Sequence, residues 1–298
     1  MPGMKNMLWT LAFVLGLVGG GPLYAQNLPA QARPTLWHIQ GEQSEVYLLG
    51  SVHVLPPNLQ WRTPAIRKAL SRADVYVFEV PQDQDAMVEL NTLIQTKGYL
   101  PGGESLRGQL HGDSLADYDA AVQASGLPPA VVEHERPWLA GLQLMFAQIS
   151  KMKYTADSGV DSVLMAKAAK EQRQMRYLES VAEQIALLVP DDHALEVQEF
   201  ESGLKDLRDV ASELEPMVAA WSNGDQARLD ILINGDLDEF PEARKTLLDD
   251  RNRRWVPKIE AMLKEKHVFF VTVGAGHLTG AIGVPALLRQ DGYTVNVQ

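Results

Sequence analysis

"LLGSVHVLPP" (residues 48–57) and "FFVTVGAGHLTG" (269–280) repeat one pattern: an apolar run, a glycine, then a histidine three places on. The runs close at Gly50 and Gly274, and the histidines are His53 and His277. Apolar residues without alternation, as in "VFFVTV", fit strands buried on both faces. In open α/β sheets, ligands gather outside the carboxyl ends of the strands. A glycine there lets the backbone turn through angles closed to other residues and come close to a ligand. Both imidazoles are therefore expected to lean over strand ends. "DVYVFEV" (74–80) reads as a third strand and carries Glu79 beside its own carboxyl end. A carboxylate between Phe78 and Val80 is costly to bury unless it is paired or coordinated.

Working outward, "TLWHIQGEQSEVYLLGS" reads as two strands around the turn "GEQS". "TPAIRKALSRA" (63–73) has a threonine cap and proline at the first helical position. A helix follows "DVYVFEV" from about Asp83 to Lys97, so strand, helix and strand suggest parallel pairing. Helices are expected at 114–126, 137–150 and 159–172, with "QMRYLES" (174–180) a short strand between helices. From Phe200 to Trp221 the apolar steps alternate between four and three, which predicts one long amphipathic helix. The 241–265 segment is a further helix that Pro257 should bend or interrupt. The fold class is α/β: a central mixed, largely parallel sheet with surrounding helices and a large helical insertion at about 100–265. Residues 36–298 read as one domain, preceded by a flexible lead-in at 26–35.

The 298 residues are 46% hydrophobic and 22% charged, as in an ordinary globular protein. The net charge of −11 repels phosphate backbones, so nucleic acid is not an expected partner. There is no cysteine, so any metal must sit on His, Asp or Glu. Residues 1–25 carry Lys5, an apolar run from Leu8 to Val18 and the small-residue site Leu23-Tyr24-Ala25. The run is too short to span a bilayer, which predicts a cleaved signal peptide, a periplasmic or secreted protein, and no transmembrane span in the mature chain.

Two imidazoles and one carboxylate make a catalytic metal set that leaves a position for water. His53, Glu79 and His277 are thus the expected ligands of a divalent ion, with Glu79 either ligand or general base. A second set is Glu179 and Gln184 in "YLESVAEQ", with Arg251 and Asn252 in "DDRNRR". Arg251 is expected to clamp a carboxylate or an oxyanion. Asp161 reads as a carboxylate favoured by a helix start and nothing more. His38, His111, His134, His193 and His267 lack the strand-end context and read as ordinary.

"YLLGSVHVLP", "YVFEV", "GVDSVLMAKA", "YLESVAEQ", "LLDDRNRRWVPKI" and the C-terminal "VFFVTVGAGHLTGAIGVPALLRQDGYTV" together resemble the TraB/GumN family, which includes the animal Tiki proteins. The resemblance runs in order from about Leu36 to the C-terminus. It implies an α/β fold like that of the erythromycin esterases and ChaN-type proteins. It also implies an active site of two Gly-x-x-His motifs and a glutamate, matching His53, His277 and Glu79. The family's Arg-Asn pair matches Arg251 and Asn252, and its Glu-Thr element appears as Glu179-Ser180. Ser51 departs from the usual threonine but keeps the hydroxyl. Tiki members are metal-dependent proteases supported by manganese or cobalt; zinc is compatible with the same donors.

Three functions follow as expectations. The first is an exported metal-dependent hydrolase, a peptidase acting on a peptide or small-molecule substrate. The second is a metal-independent, esterase-like hydrolase with His53 as general base. The third is a protein that sequesters a ligand or peptide without chemistry.

Overall fold

β1 (Leu36–Gln40) and β2 (Glu45–Ser51) form the expected hairpin, closed by the pair Gln40↔Glu45. The computed structural model describes residues 31–190, 192–208 and 210–298. The expected signal peptide, and the lead-in up to residue 30, lie outside the described residues. Four further strands are β3 (Val75–Phe78), β4 (Gln174–Tyr177), β5 (Val268–Gly274) and β6 (Val295–Val297). One mixed sheet results, in the order β4-β3-β5-β2-β1-β6. β2, β5, β3 and β4 pair in parallel, and β1 is antiparallel to both neighbours.

The period of two along each strand divides the core into two layers. Val46, Leu48, Val75, Val77, Phe269 and Val271 face one side, where Trp255 and Ile259 of the Asp250–Met262 helix cover them. Tyr47, Leu49, Tyr76, Phe78 and Phe270 face the other, under most of the remaining helices. Both faces are thus buried, which is why the strand sequences do not alternate in polarity.

Helix starts follow their caps. Thr63 accepts a hydrogen bond from the Ile66 N–H ahead of Pro64–Arg72, and Asp83 accepts from Ala86 ahead of Gln84–Lys97. Pro137–Lys151 is buried over most of its surface, as its apolar sequence predicts. Most of the chain between residues 100 and 265 is helical, with β4 the exception. Among the described residues, no helix is long and apolar enough to cross a membrane.

Two local expectations differ from the structure, and a third is narrowed. The Phe200–Trp221 segment is not one helix: His193–Gly203 ends at a glycine, and a second helix runs over Val210–Asn223. Glycine is a poor helix former, and the break lets both pieces keep their apolar residues in one core. Of the two effects expected of Pro257, interruption is ruled out, because the helix continues to Met262. Residues 31–35 are anchored rather than flexible: the Ala32 N–H donates to Gln60 and the Arg33 N–H to Ser222.

Candidate active site

The parallel strands end in two level pairs, with Ser51 opposite Gly274 and Phe78 opposite Tyr177. His53, Glu79, Glu179 and His277 all follow within three residues of those ends. The chain after β2 is locked to a distant segment: Leu55 and Thr155 exchange backbone hydrogen bonds, and the Val160 N–H donates to Val52. After β4, the Glu179 N–H donates to the Glu79 carbonyl, which sets the two glutamates side by side. All six of His53, Glu79, Glu179, Gln184, Arg251 and His277 are buried.

Arg251 is the hub. It sits one residue into the Asp250–Met262 helix, directly after a π-helical turn at Lys245–Asp249, a distortion frequent at functional sites. Its side chain is 1% exposed. Nε donates to Glu179 Oε1 at 2.9 Å and Oε2 at 3.1 Å. Nη2 donates to Glu79 Oε2 at 2.6 Å and Glu179 Oε2 at 2.8 Å. Nη1 donates to the Leu247 carbonyl at 3.2 Å and His277 Nε2 at 2.9 Å. A guanidinium has five N–H donors, and these contacts engage all of them. Of the two roles expected of Arg251, the contacts are those of a carboxylate clamp, on Glu79 and Glu179, and no N–H remains for an oxyanion.

That contact fixes the His277 tautomer. Arg251 can only donate, so Nε2 accepts and the proton sits on Nδ1, which donates to Asn252 Oδ1 at 2.6 Å. Asn252 is oriented by its own Nδ2 donating to the Ile282 carbonyl. Burial, then the Arg251 charge, then His53 hold His277 well below the ordinary imidazole range, so it is neutral. Trp255, one helical turn beyond Arg251, packs on the His277 ring at 4.3 Å and donates to Glu179 Oε1.

Glu79 is satisfied on both oxygens. Oε1 accepts from the Gly274 N–H at 2.6 Å, and Oε2 accepts from Arg251 and, at 3.3 Å, from Gln184. Ser180 and Glu183 form a capping box that fixes the helix carrying Gln184.

His53 stands on the other side of the centre. Its Nδ1 donates to Asp161 Oδ2 at 2.6 Å, and both side chains are buried. Burial opposes a charge on His53, but the Asp161 and Glu79 carboxylates outweigh it and raise the imidazole above its usual value. Asp161 is buried too, yet the charge of His53 and the bond to it keep its carboxyl below the usual range. From sequence Asp161 reads only as a helix-start carboxylate, whereas the structure pairs it with His53. Its signal is a stripe: Asp161, Leu164 and Ala168 are spaced by three and four and all face inward. Trp255 belongs to the centre too, four residues after Arg251 on the same buried helix face.

The motif glycines are there for room. Neither Gly50 nor Gly274 has a left-handed backbone, contrary to the turning role expected of them. A Cβ on Gly50 would meet Ala275 at 3.0 Å, and one on Gly274 would meet Glu79 Oε1 at 3.2 Å and the His277 ring at 3.5 Å. Glu79 and His277 thus converge over Gly274, and His53 follows the adjoining strand end at Ser51, which pairs with Gly274.

In this arrangement His277 Nε2 and Glu79 Oε2 would have to be released by Arg251 before they could hold the expected metal ion. Arg251 is itself a cation, and its Nη1 and Nη2 donate to those two atoms. Among the described residues, no group of three His, Asp or Glu side chains is disposed to hold a metal.

A sequence profile of the TraB/PrgY/gumN family matches residues 35–297, a span that includes every residue of this centre. The "Uncharacterized protein YbaP" of Escherichia coli (strain K12) is 25% identical over 244 residues, covering 82% of this chain and 87% of that protein. The protein of the same name from Shigella flexneri matches to the same extent. No solved structure matches the chain. The profile match over almost the whole described chain, with the strand-end histidines, Glu79 and Arg251 inside it, establishes that the chain belongs to the TraB/PrgY/gumN family.

Proposed function

We propose that this chain is a hydrolase of carbonyl substrates, peptides first among them, with His53 as the general base. The observation that supports it most is the buried His53–Asp161 pair at 2.6 Å, beside a neutral second imidazole and a charged cluster. With Nδ1 held by Asp161, Nε2 is the nitrogen for proton transfer. It takes a proton from water as the water oxygen bonds to the substrate carbonyl carbon. Asp161 stabilises the imidazolium that forms. The same proton then passes to the leaving nitrogen or oxygen as its bond to carbon breaks. Positioned general base catalysis of this kind contributes about 10²–10⁴-fold.

The test uses the purified chain, exhaustively chelated, on fluorogenic peptides and p-nitrophenyl esters. Turnover that falls at least about a hundredfold in His53→Gln supports the reading. Equal turnover in that variant, or none by the native chain on any substrate, refutes it.

A metal-assisted form is favoured by one observation. Both imidazoles are anchored through Nδ1, His53 on Asp161 and His277 on Asn252, as metal-binding histidines are. Such a form requires Arg251 to give up its contacts with His277 and Glu79. Stoichiometric manganese, cobalt or zinc in the native protein, reduced in His277→Ala, supports it over the metal-free form.

Export is inferred from the leader sequence. Recovery of a periplasmic or secreted product beginning near residue 26 supports it, and a full-length cytoplasmic product counts against it.

A further inference from the structure

A cleft of about 460 Å³ lies beside the centre. That is within the roughly 300–1,000 Å³ of small-molecule sites. Its walls come from Gln84–Lys97, from Val160–Lys170 and from the short helix that carries Gln184. Two lining residues tie it to the chemistry. Gln184 donates to Glu79, and Ser162 adjoins Asp161, the partner of His53.

The lining is mostly apolar, with Met87, Leu90, Met165, Met175 and Ile185 among its residues. Methionine adapts its shape to varied apolar groups. Asp83 and Asp157 also line the cleft, and among the described residues no lysine, arginine or histidine does. A ligand bearing a carboxylate at this position finds no counter-charge, whereas a neutral or cationic one does not need it.

One further feature selects a peptide. Met175 and Tyr177 belong to β4, the edge strand, which the sheet pairs on one side only. An edge strand offers main-chain groups to an extended segment, and adjacent pockets then read its side chains. From this combination we infer that the cleft is the specificity subsite for a bulky apolar side chain of an extended, uncharged or basic peptide lying along β4, on the side of the centre where Gln184 meets Glu79. The inference rests on the hydrolase reading for its link to catalysis but not for the binding itself.

The test measures binding in the His53→Gln protein, where turnover does not consume the probe. Fluorescein-labelled peptides Gly-Gly-X-X-Gly-Gly, with X as Gly, Ser, Leu or Phe, are titrated by fluorescence anisotropy. The Leu and Phe peptides are expected to bind at least tenfold tighter than the Gly and Ser peptides. Ala166→Trp, at an exposed helix position lining the cleft, is expected to remove that preference and leave the melting temperature unchanged. Met165→Ser should reduce the preference at least threefold. Equal affinity across the set, or a preference that survives Ala166→Trp, overturns the inference. An intact preference with no turnover of any substrate by the native chain refutes the hydrolase reading and leaves the subsite standing.

Discussion

Arg251→Met removes the guanidinium that holds the centre together while keeping an unbranched side chain in its channel. In the native chain Nη2 bonds to Glu79 Oε2 at 2.6 Å and Glu179 Oε2 at 2.8 Å, with both glutamates buried. Without it, two buried carboxylates face each other. Arg254, half exposed and 3.6 Å from Glu179, compensates only in part. Breaking a buried ion pair by removing one partner costs about 3–5 kcal/mol. A domain of this size loses about 2–4 °C of melting temperature per kcal/mol, so the drop is about 6–20 °C. Both chains are melted at pH 5 and at pH 8. His277 supplies an independent reading. Burial and the Arg251 charge together hold its imidazole well below the ordinary range, so removing the charge should move its titration upward. Thermal denaturation followed by circular dichroism at both pH values, with an NMR titration of the histidines, measures both effects. A melting temperature within about 2 °C of the native value at both pH values, which is under 1 kcal/mol, refutes the assignment of Arg251 as the hub if His277 is also unmoved.

Asp161→Asn should lower turnover by about 10²–10⁴-fold. His53 must be neutral to act as a base and Asp161 raises its titration, so the acidic limb of the pH–rate profile should move to lower pH in the variant; an unmoved limb and plateau count against the pair. Glu135 is 1% exposed and burial pushes its carboxyl up to about 8 from 4.5. The folded chain therefore keeps a proton that the unfolded chain releases, and stability falls as pH rises across that window, by roughly 4 kcal/mol. Glu135→Gln should flatten this slope in denaturant titrations at pH 5 and 8, and a slope that persists in the variant refutes the assignment. Gly159→Ala would set a Cβ 2.1 Å from the His53 carbonyl oxygen. It should cost about 1–3 kcal/mol through overpacking and reduce turnover, whereas Gly102→Ala, with nothing within 4 Å of its Cβ, should change neither; equal behaviour of the two variants in melting and activity assays would contradict the packing of the His53 loop.

Local chemistry made much of this protein legible from its residues. The unalternating strands around Gly50, Phe78 and Gly274, and the caps Thr63 and Asp83, depend on near neighbours in the chain, so the parallel sheet and its first helices follow from sequence. The repeated Gly-x-x-His pattern likewise located both imidazoles at strand ends. Partner choice could not be read in the same way. His53 meets Asp161 across 108 positions, and Arg251 meets Glu79 across 172. A carboxylate at a helix start has the same local appearance whether it faces water or an imidazole. The direction of each Arg251 N–H, the neutral state of His277 and the break in the 200–221 segment were decided by packing. Sequence periodicity specifies which face of an element turns inward; only the assembled layers determine which groups that face meets, and how many of their hydrogen bonds remain for a ligand.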